Sequence, residues 1–167
     1  MIVGIDNGLD GGLCAITSFD GRIIAKIAMP TMQRSKKREV DIRKVKRWLE
    51  YLDDFKNSTF VLAIEEPLAH AKSSQAVRSM ALSFGKLLGM SESNGYEVNR
   101  ISVHKWQKAI LGHWKKGTTK QRALERVQEI APEECWLKNK RCRTPHDGMI
   151  DAYLIAQYMY GNKIFEN

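Results

Sequence analysis

The chain has 167 residues, with 27 Lys and Arg against 19 Asp and Glu, a formal net charge of +8. Its 43% hydrophobic content allows a buried core without disulfide staples, and no apolar run approaches the roughly 20 residues of a membrane span. The mean hydropathy of -0.40 is ordinary for a soluble protein, while the net charge and a pI near 9.5 point to a polyanionic partner, most simply nucleic acid.

Met1 to Ile5 is a short apolar run that ends on Asp6 and turns through Asn7-Gly8 and Gly11-Gly12. It has no basic leader and meets an acid too early for a signal peptide, so a cytoplasmic chain is expected. Leu13 to Thr17 and Arg22 to Ile27 read as two further strands, joined through Asp20-Gly21 into an antiparallel meander. Gln33 to Arg38 is polar and basic and predicts a mobile loop. Asp41 reads as the N-cap of a helix carrying Val45, Trp48, Leu49 and Leu52 at helical spacing. Thr59 to Ile64 predicts a strand running into Glu65 and Glu66, stopped by Pro67. An amphipathic helix over Gln75 to Met90, closing near Gly89, would use Val77, Met80, Ala81, Phe84, Leu87 and Leu88. A strand at Tyr96 to Ile101 precedes helices at Val103–Leu111 and Lys120–Ile130, the second capped by Thr118 or Thr119 and followed by Pro132. Asp147 to Met159 forms the last helix. Strands first, then strands alternating with helices, predict an α/β fold: one mixed sheet with helices on its faces, in a single domain over residues 1–167.

The positive charge is not spread evenly. Between Arg100 and Arg143 twelve Lys and Arg face four Glu, so this segment alone carries the excess of the chain. Such a concentration suits a phosphate partner, whose counterions are released on contact. Lys108, Lys115, Lys116 and Lys120 are the candidate phosphate contacts, with Arg78 and Lys86 on the polar side of the 75–90 helix. Cys14, Cys135 and Cys142 form no C-x-x-C pair. Cys135, Cys142 and His146 match no common zinc spacing and lack a fourth ligand, so reduced structural thiols are expected.

Four acids stand where a sheet-based active site would want them. Asp6 and Glu65 end strands, and strand ends form the edge at which such sheets bind ligands. Asp147 and Asp151 share one helix face, separated by a rise of about 6 Å. Clustered carboxylates repel one another, and a pair of hard divalent cations resolves that conflict through oxygen ligands. Two such metals roughly 3.5–4 Å apart suit phosphodiester hydrolysis, activating water and stabilising the leaving oxygen. Each acid also has a structural reading: Asp6 as a cap of the Asn7-Gly8 turn, Glu66 as the important member of its pair, Asp147 as a helix N-cap.

These motifs resemble one family in order and spacing over essentially the full chain. Val3-Gly4-Ile5-Asp6-Asn7-Gly8 resembles the "GIDPG" opening of RuvC-type Holliday-junction resolvases, members of the RNase H-like superfamily. Ala63-Ile64-Glu65-Glu66-Pro67 resembles their second motif. Asp147-Gly148-Met149-Ile150-Asp151-Ala152-Tyr153-Leu154-Ile155-Ala156 resembles the last, closest to phage versions reading "DG-x-x-DALLIA". Val103 to Gly112 and Thr119 to Ala123 are similar to the segment before the final acids. The resemblance implies an RNase H-like mixed five-stranded sheet flanked by helices, a homodimer, and Mg²⁺-dependent paired nicking of four-way junctions. It also implies two Mg²⁺ per site, with Mn²⁺ as a substitute.

Carried over residue by residue, Asp6, Glu65 and Asp151 match catalytic metal ligands, and Asp6 would bridge the two ions. Some relatives place an acid or histidine at the position of Gly148; Asp147 takes that role here, with His146 the alternative. Asn7 replaces the usual proline, read as harmless in a turn, and Glu66-Pro67-Leu68-Ala69-His70 lacks the aromatic that some bacterial members set beside the junction. Trp106 is expected in the core rather than as a stacking platform. Rival readings are a less selective RNase H-like nuclease acting on flaps, forks or RNA, an actin-like phosphotransferase, and an inactive junction-binding protein.

Overall fold

The computed structural model of the chain describes residues 1–56, 61–67 and 74–165. Its centre is a five-stranded sheet in the order β3-β2-β1-β6-β7. β1 (Ile2–Asp6), β2 (Gly12–Ile16) and β3 (Ile23–Ala28) pair antiparallel as the expected meander, while β6 (Val61–Glu65) runs parallel to β1 and β7 (Glu97–Ile101) parallel to β6. The mixed sheet expected from the sequence is therefore present. Thr59, Phe60 and the segment 68–70, on which two expectations fall, lie outside the described residues.

Alternation along the central strands divides the core into two layers. Ile2, Cys14, Ile16, Val61, Ala63 and Ile101 face one side, against Trp106, Ala123, Val127 and the last helix. Val3, Ile5, Leu13, Ala15, Leu62 and Ile64 face the other, against Val45, Leu49, Leu52, Leu87 and Met90. Burial on both faces explains why β1 and β6 read as continuous apolar runs.

α1 (Ile42–Lys56) starts as expected, with the Lys44 amide donating to Asp41 Oδ1 at 3.3 Å. α2 (Ser74–Ser93) runs past the expected stop at Gly89, because the left-handed turn falls later, at Gly95 (φ 73°). Its buried stripe is Ser83, Leu87, Met90 and Ser91, and Ala81 is exposed, so the packed face is rotated from the one read off the sequence. α3 (Val103–Leu111) has the expected bounds. α4 (Thr119–Ile130) follows Thr118, whose hydroxyl donates to Lys115 O at 2.8 Å rather than capping the helix. α5 (Asp147–Phe165) continues beyond Met159. Among the described residues no helix is long and apolar enough to cross a membrane.

The expected loop at Gln33–Arg38 is instead a hairpin. β4 (Thr31–Arg34) pairs antiparallel with β5 (Lys37–Val40) across Ser35 and Lys36, with Ser35 in the left-handed region at φ 54°. Its polar sequence carries no strand periodicity. Tertiary anchors hold it: Val40 is buried, the Asp41 amide donates to Pro30 O at 2.9 Å, and Glu39 pairs with Lys86 of α2.

α5 lies hard against the sheet because small residues let it. A Cβ on Gly4 would stand 2.0 Å from Ala152 O and 2.6 Å from Ala156 N. At the start of the same helix Gly148 forms a parallel bridge with Gly11, and a Cβ there would meet Asp10 O and Gly11 Cα at 2.4 Å. These contacts bring the first turn of α5 to the carboxyl ends of β1 and β6.

Candidate active site

Asp6 is the last residue of β1, and its carboxylate is held by the chain that follows: the Gly8 amide donates to Oδ1 at 2.9 Å. Ile5 pairs with Ile64 in parallel register, so the next step along each strand sets Asp6 beside Glu65. The buried Asn7 reinforces the join by donating its side-chain amide to the backbone carbonyl of Glu65. The residue read as a harmless proline substitute is thus a strut between two strand ends. Of the Glu65–Glu66 pair, Glu66 is exposed while Glu65 faces inward.

Glu65 pairs in register with Ile101, which delivers α3 immediately beside it. Trp106 of α3 is fully buried, as expected of a core residue, but its indole Nε1–H also donates to Glu65 Oε1 at 2.7 Å. This hydrogen bond was missed from the sequence. The signal was available in principle: a tryptophan one turn into a helix that begins where Glu65's neighbouring strand ends.

Asp147 opens α5 and Asp151 lies one turn further in. Burial, and then the charges of Asp6 and Asp147, push the Asp151 carboxyl up to about 8, against the pull of Lys120. Burial and the charge of Asp6 push Glu65 up to about 8 as well; Asp151 adds to the rise and the Trp106 indole opposes it. Asp6 rises to about 6, chiefly through burial, with the Gly8 amide and Lys120 lowering it and Asp10 and Asp147 raising it. The three carboxylates therefore form one electrostatic cluster in which full ionisation is disfavoured.

Asp147 sits at the rim. Its side chain is 47% exposed and accepts from Lys120 Nζ at 2.5 Å, and its charge is felt by both Asp6 and Asp151. His146 is differently placed: its Nδ1 accepts from the Met149 amide at 3.3 Å and its carbonyl accepts from Met149 and Ile150, so it caps α5. Burial, followed by Lys138, holds its imidazole below the usual range. The contact at Gly148 explains the departure noted in the sequence, because no side chain fits at that position against Asp10 and Gly11.

Lys120 projects to the acids, whereas Lys108, Lys115 and Lys116 are exposed and make no ion pair among the described residues. Arg78 is exposed on α2, and Lys86 ties that helix to the hairpin through Glu39. Asp6, Glu65 and Asp151 stand near enough for each to feel another's charge, with Asp147 at their rim. Among the described residues no three His, Cys, Asp or Glu side chains stand in metal-ligating geometry, so the cluster is recognised by strand register, by the placement of α5 and by the mutual influence of its charges.

No family model and no curated protein matches the sequence. Solved structures do match the fold. A Thermus thermophilus RuvC bound to a Holliday junction substrate aligns with TM-score 0.62 at 16% identity, covering 98% of this chain and 94% of its own. A second Thermus thermophilus RuvC structure gives 0.61 at 19% identity, covering 98% and 96%. The yeast mitochondrial Holliday junction resolvase Ydc2 gives 0.51 at 14% identity, covering 95% and 77%. The chain has the RNase H-like fold of the RuvC resolvases. Within that fold, α5 is the helix that carries the last two acids to the strand ends.

Proposed function

We propose that the chain is a divalent-metal-dependent endonuclease that resolves four-way DNA junctions by paired nicks, acting as a homodimer. The observation that carries this reading is the convergence of Asp6, Glu65 and Asp151, each partly buried, at the adjoining ends of β1 and β6 and the first turns of α5, where each carboxyl is raised by desolvation and by its neighbours. An uncompensated cluster of this kind opposes folding, and its donors are all oxygens, which fits hard cations. Mg²⁺, two ions per site with Mn²⁺ as a substitute, would supply charge neutralisation at the scissile phosphate and activation of the attacking water.

The residues of the chain have separate tasks in this scheme. Asp6 presents a carboxylate fixed by the Gly8 amide, Glu65 one fixed by the Trp106 indole, and Asp151 one fixed by the packing of α5. Those restraints orient oxygen ligands before substrate arrives. Lys120, now paired with Asp147, supplies a cation at the edge where the phosphate enters, and Lys108, Lys115 and Lys116 extend the positive surface. The fold shared with junction resolvases and the basic segment favour branched DNA over other phosphodiesters.

The test is cleavage of a synthetic four-way junction, with fork, linear duplex, and RNA–DNA hybrid as competitors. Symmetrical Mg²⁺-dependent nicks in opposing strands, abolished by Asp6→Asn with junction binding retained, are expected. Equal cutting of forks or hybrids identifies the less selective nuclease instead, and cleavage by the Asp6→Asn protein rules out the assigned site.

A further inference from the structure

Outside the acid cluster, a groove of about 810 Å³ lies between the β4–β5 hairpin and the first half of α2. Its walls carry Lys36, Lys37 and Arg38 from the hairpin and Arg78 from α2, with Ser74, Gln75 and Ser79 adding neutral hydrogen-bonding groups. All four cations are exposed. The acid in the lining, Glu39, is already paired with Lys86, which holds its carboxyl below the ordinary range. Among the described residues the unpaired charges of the groove are therefore all positive, and Arg38 alone of its four exposed cations meets an acid, Asp10.

That exception locates the groove relative to the acids. Arg38 Nη2 donates to Asp10 Oδ1 at 2.7 Å, and Leu9 lines the groove floor. Leu9 and Asp10 belong to the turn that leaves Asp6, so one end of the groove opens three residues from the first carboxylate. The hairpin is braced at both sides, to α2 through Glu39–Lys86 and to the Asp6 turn through Arg38–Asp10. Bracing of this kind fixes where its tip charges stand, which a solvated loop would not do.

We propose that the β4–β5 hairpin and the N-terminal half of α2 form a clamp for a nucleic-acid backbone, delivering a strand to the turn that carries Asp6. Lys36, Lys37 and Arg78 take phosphates, and Arg38 exchanges Asp10 for a phosphate when the strand is seated. Leu9 and the half-exposed Leu82 give the floor an apolar surface on which a sugar or base edge rests. The occupant is nucleic acid rather than an acidic protein, because the basic walls are joined end-on to a carboxylate cluster suited to phosphodiesters. The inference rests on the nuclease reading for the choice of occupant and the direction of the strand, while the binding itself is measured independently of cleavage.

The test compares Lys36→Ala/Lys37→Ala and Arg78→Ala with a charge-matched control, Arg43→Ala/Arg47→Ala on exposed α1. Affinity for a four-way junction, single-stranded DNA and linear duplex is measured in Ca²⁺ across a salt series. Each lost phosphate contact lowers the slope of log K against log salt by about 0.7–0.9. The double hairpin variant should bind the junction about tenfold more weakly near 0.1 M salt, with a slope smaller by one to two, while the control stays near wild type. Unchanged affinity and slope in both groove variants, with unaltered melting curves, overturns the clamp. A shift in oligomeric state without a binding change makes the groove a contact between copies and overturns it equally. If wild type cuts no junction yet the groove variants still lose nucleic-acid affinity, the clamp stands and the resolvase reading falls.

Discussion

Asp151→Asn separates the electrostatic strain of the site from its chemistry. The Asp151 carboxyl lies at about 8 in the folded protein against an ordinary value of 3.8, raised first by burial and then by Asp6 and Asp147. A carboxyl raised in this way favours the folded state below its ordinary value and loses that advantage as pH climbs through the folded one. Above that range the unfolded chain is ionised freely while the folded chain must ionise a buried group. At about 1.36 kcal/mol per pKa unit the full shift corresponds to roughly 5 kcal/mol near pH 8. The repulsion is shared with Asp6 and Glu65, and the amide still needs hydrogen-bond partners, so removing one charge recovers about half, roughly 2–3 kcal/mol. For a chain of this size that raises the melting temperature by about 5–10 °C. The assay is thermal melting with EDTA at pH 8 and pH 4, where the expected gain shrinks below about 1 kcal/mol. Added Mg²⁺ should stabilise wild type at pH 8 more than the variant, and the variant should cleave nothing. An Asp151→Asn protein that melts at or below wild type at pH 8, or gains equally at both pH values, refutes the strained-cluster argument.

Trp106→Phe removes the donor to Glu65 while keeping a ring in the core; a loss of about 2–4 kcal/mol in denaturant melts is expected. The same variant should need about ten times more Mg²⁺ for half-maximal cleavage, the effect that loss of an orienting partner has in metal sites, and an unchanged Mg²⁺ requirement would make the indole purely structural. Asp147→Asn should slow cleavage by one to two orders of magnitude at saturating junction, whereas His146→Ala should keep cleavage and lose about 1 kcal/mol of stability as α5 loses its cap. The reverse pattern assigns the fourth site residue to His146. Gly148→Ala places a Cβ 2.4 Å from Asp10 O and Gly11 Cα. It should cost about 3 kcal/mol or more in melts, and a soluble variant of near-native stability would show that α5 can withdraw from the turn.

Much of this protein is written in local pattern. The apolar runs that end on Asp6 and Glu65, the bounds of α3, the Asp41 cap and the paired acids on α5 follow from periodicity and residue type, each of which acts within a few residues. Local pattern also separates α5 from an ordinary amphipathic helix, since Ala152 to Ala156 is apolar all round and buried. What it leaves open are interactions between segments distant in the chain. The 31–40 hairpin has no strand alternation, and its form depends on Lys86, Asp10 and the buried Val40. The rotation of α2 depends on which stripe meets the sheet, which the many small and apolar residues of that helix leave undecided.

The site divides along the same line. The placement of the candidate acids was legible because carboxylates at strand ends and one helical turn apart are unusual as packing. Their restraints were not: Asn7 to the Glu65 carbonyl and Trp106 to its carboxylate join residues 58 and 41 positions apart. Sequence by itself determined which side chains carry the charge and which elements bear them. Tertiary structure alone decided how far those charges are buried, what holds them, and why Gly148 has no side chain, because desolvation and close approach exist only once β1, β6 and α5 are packed together.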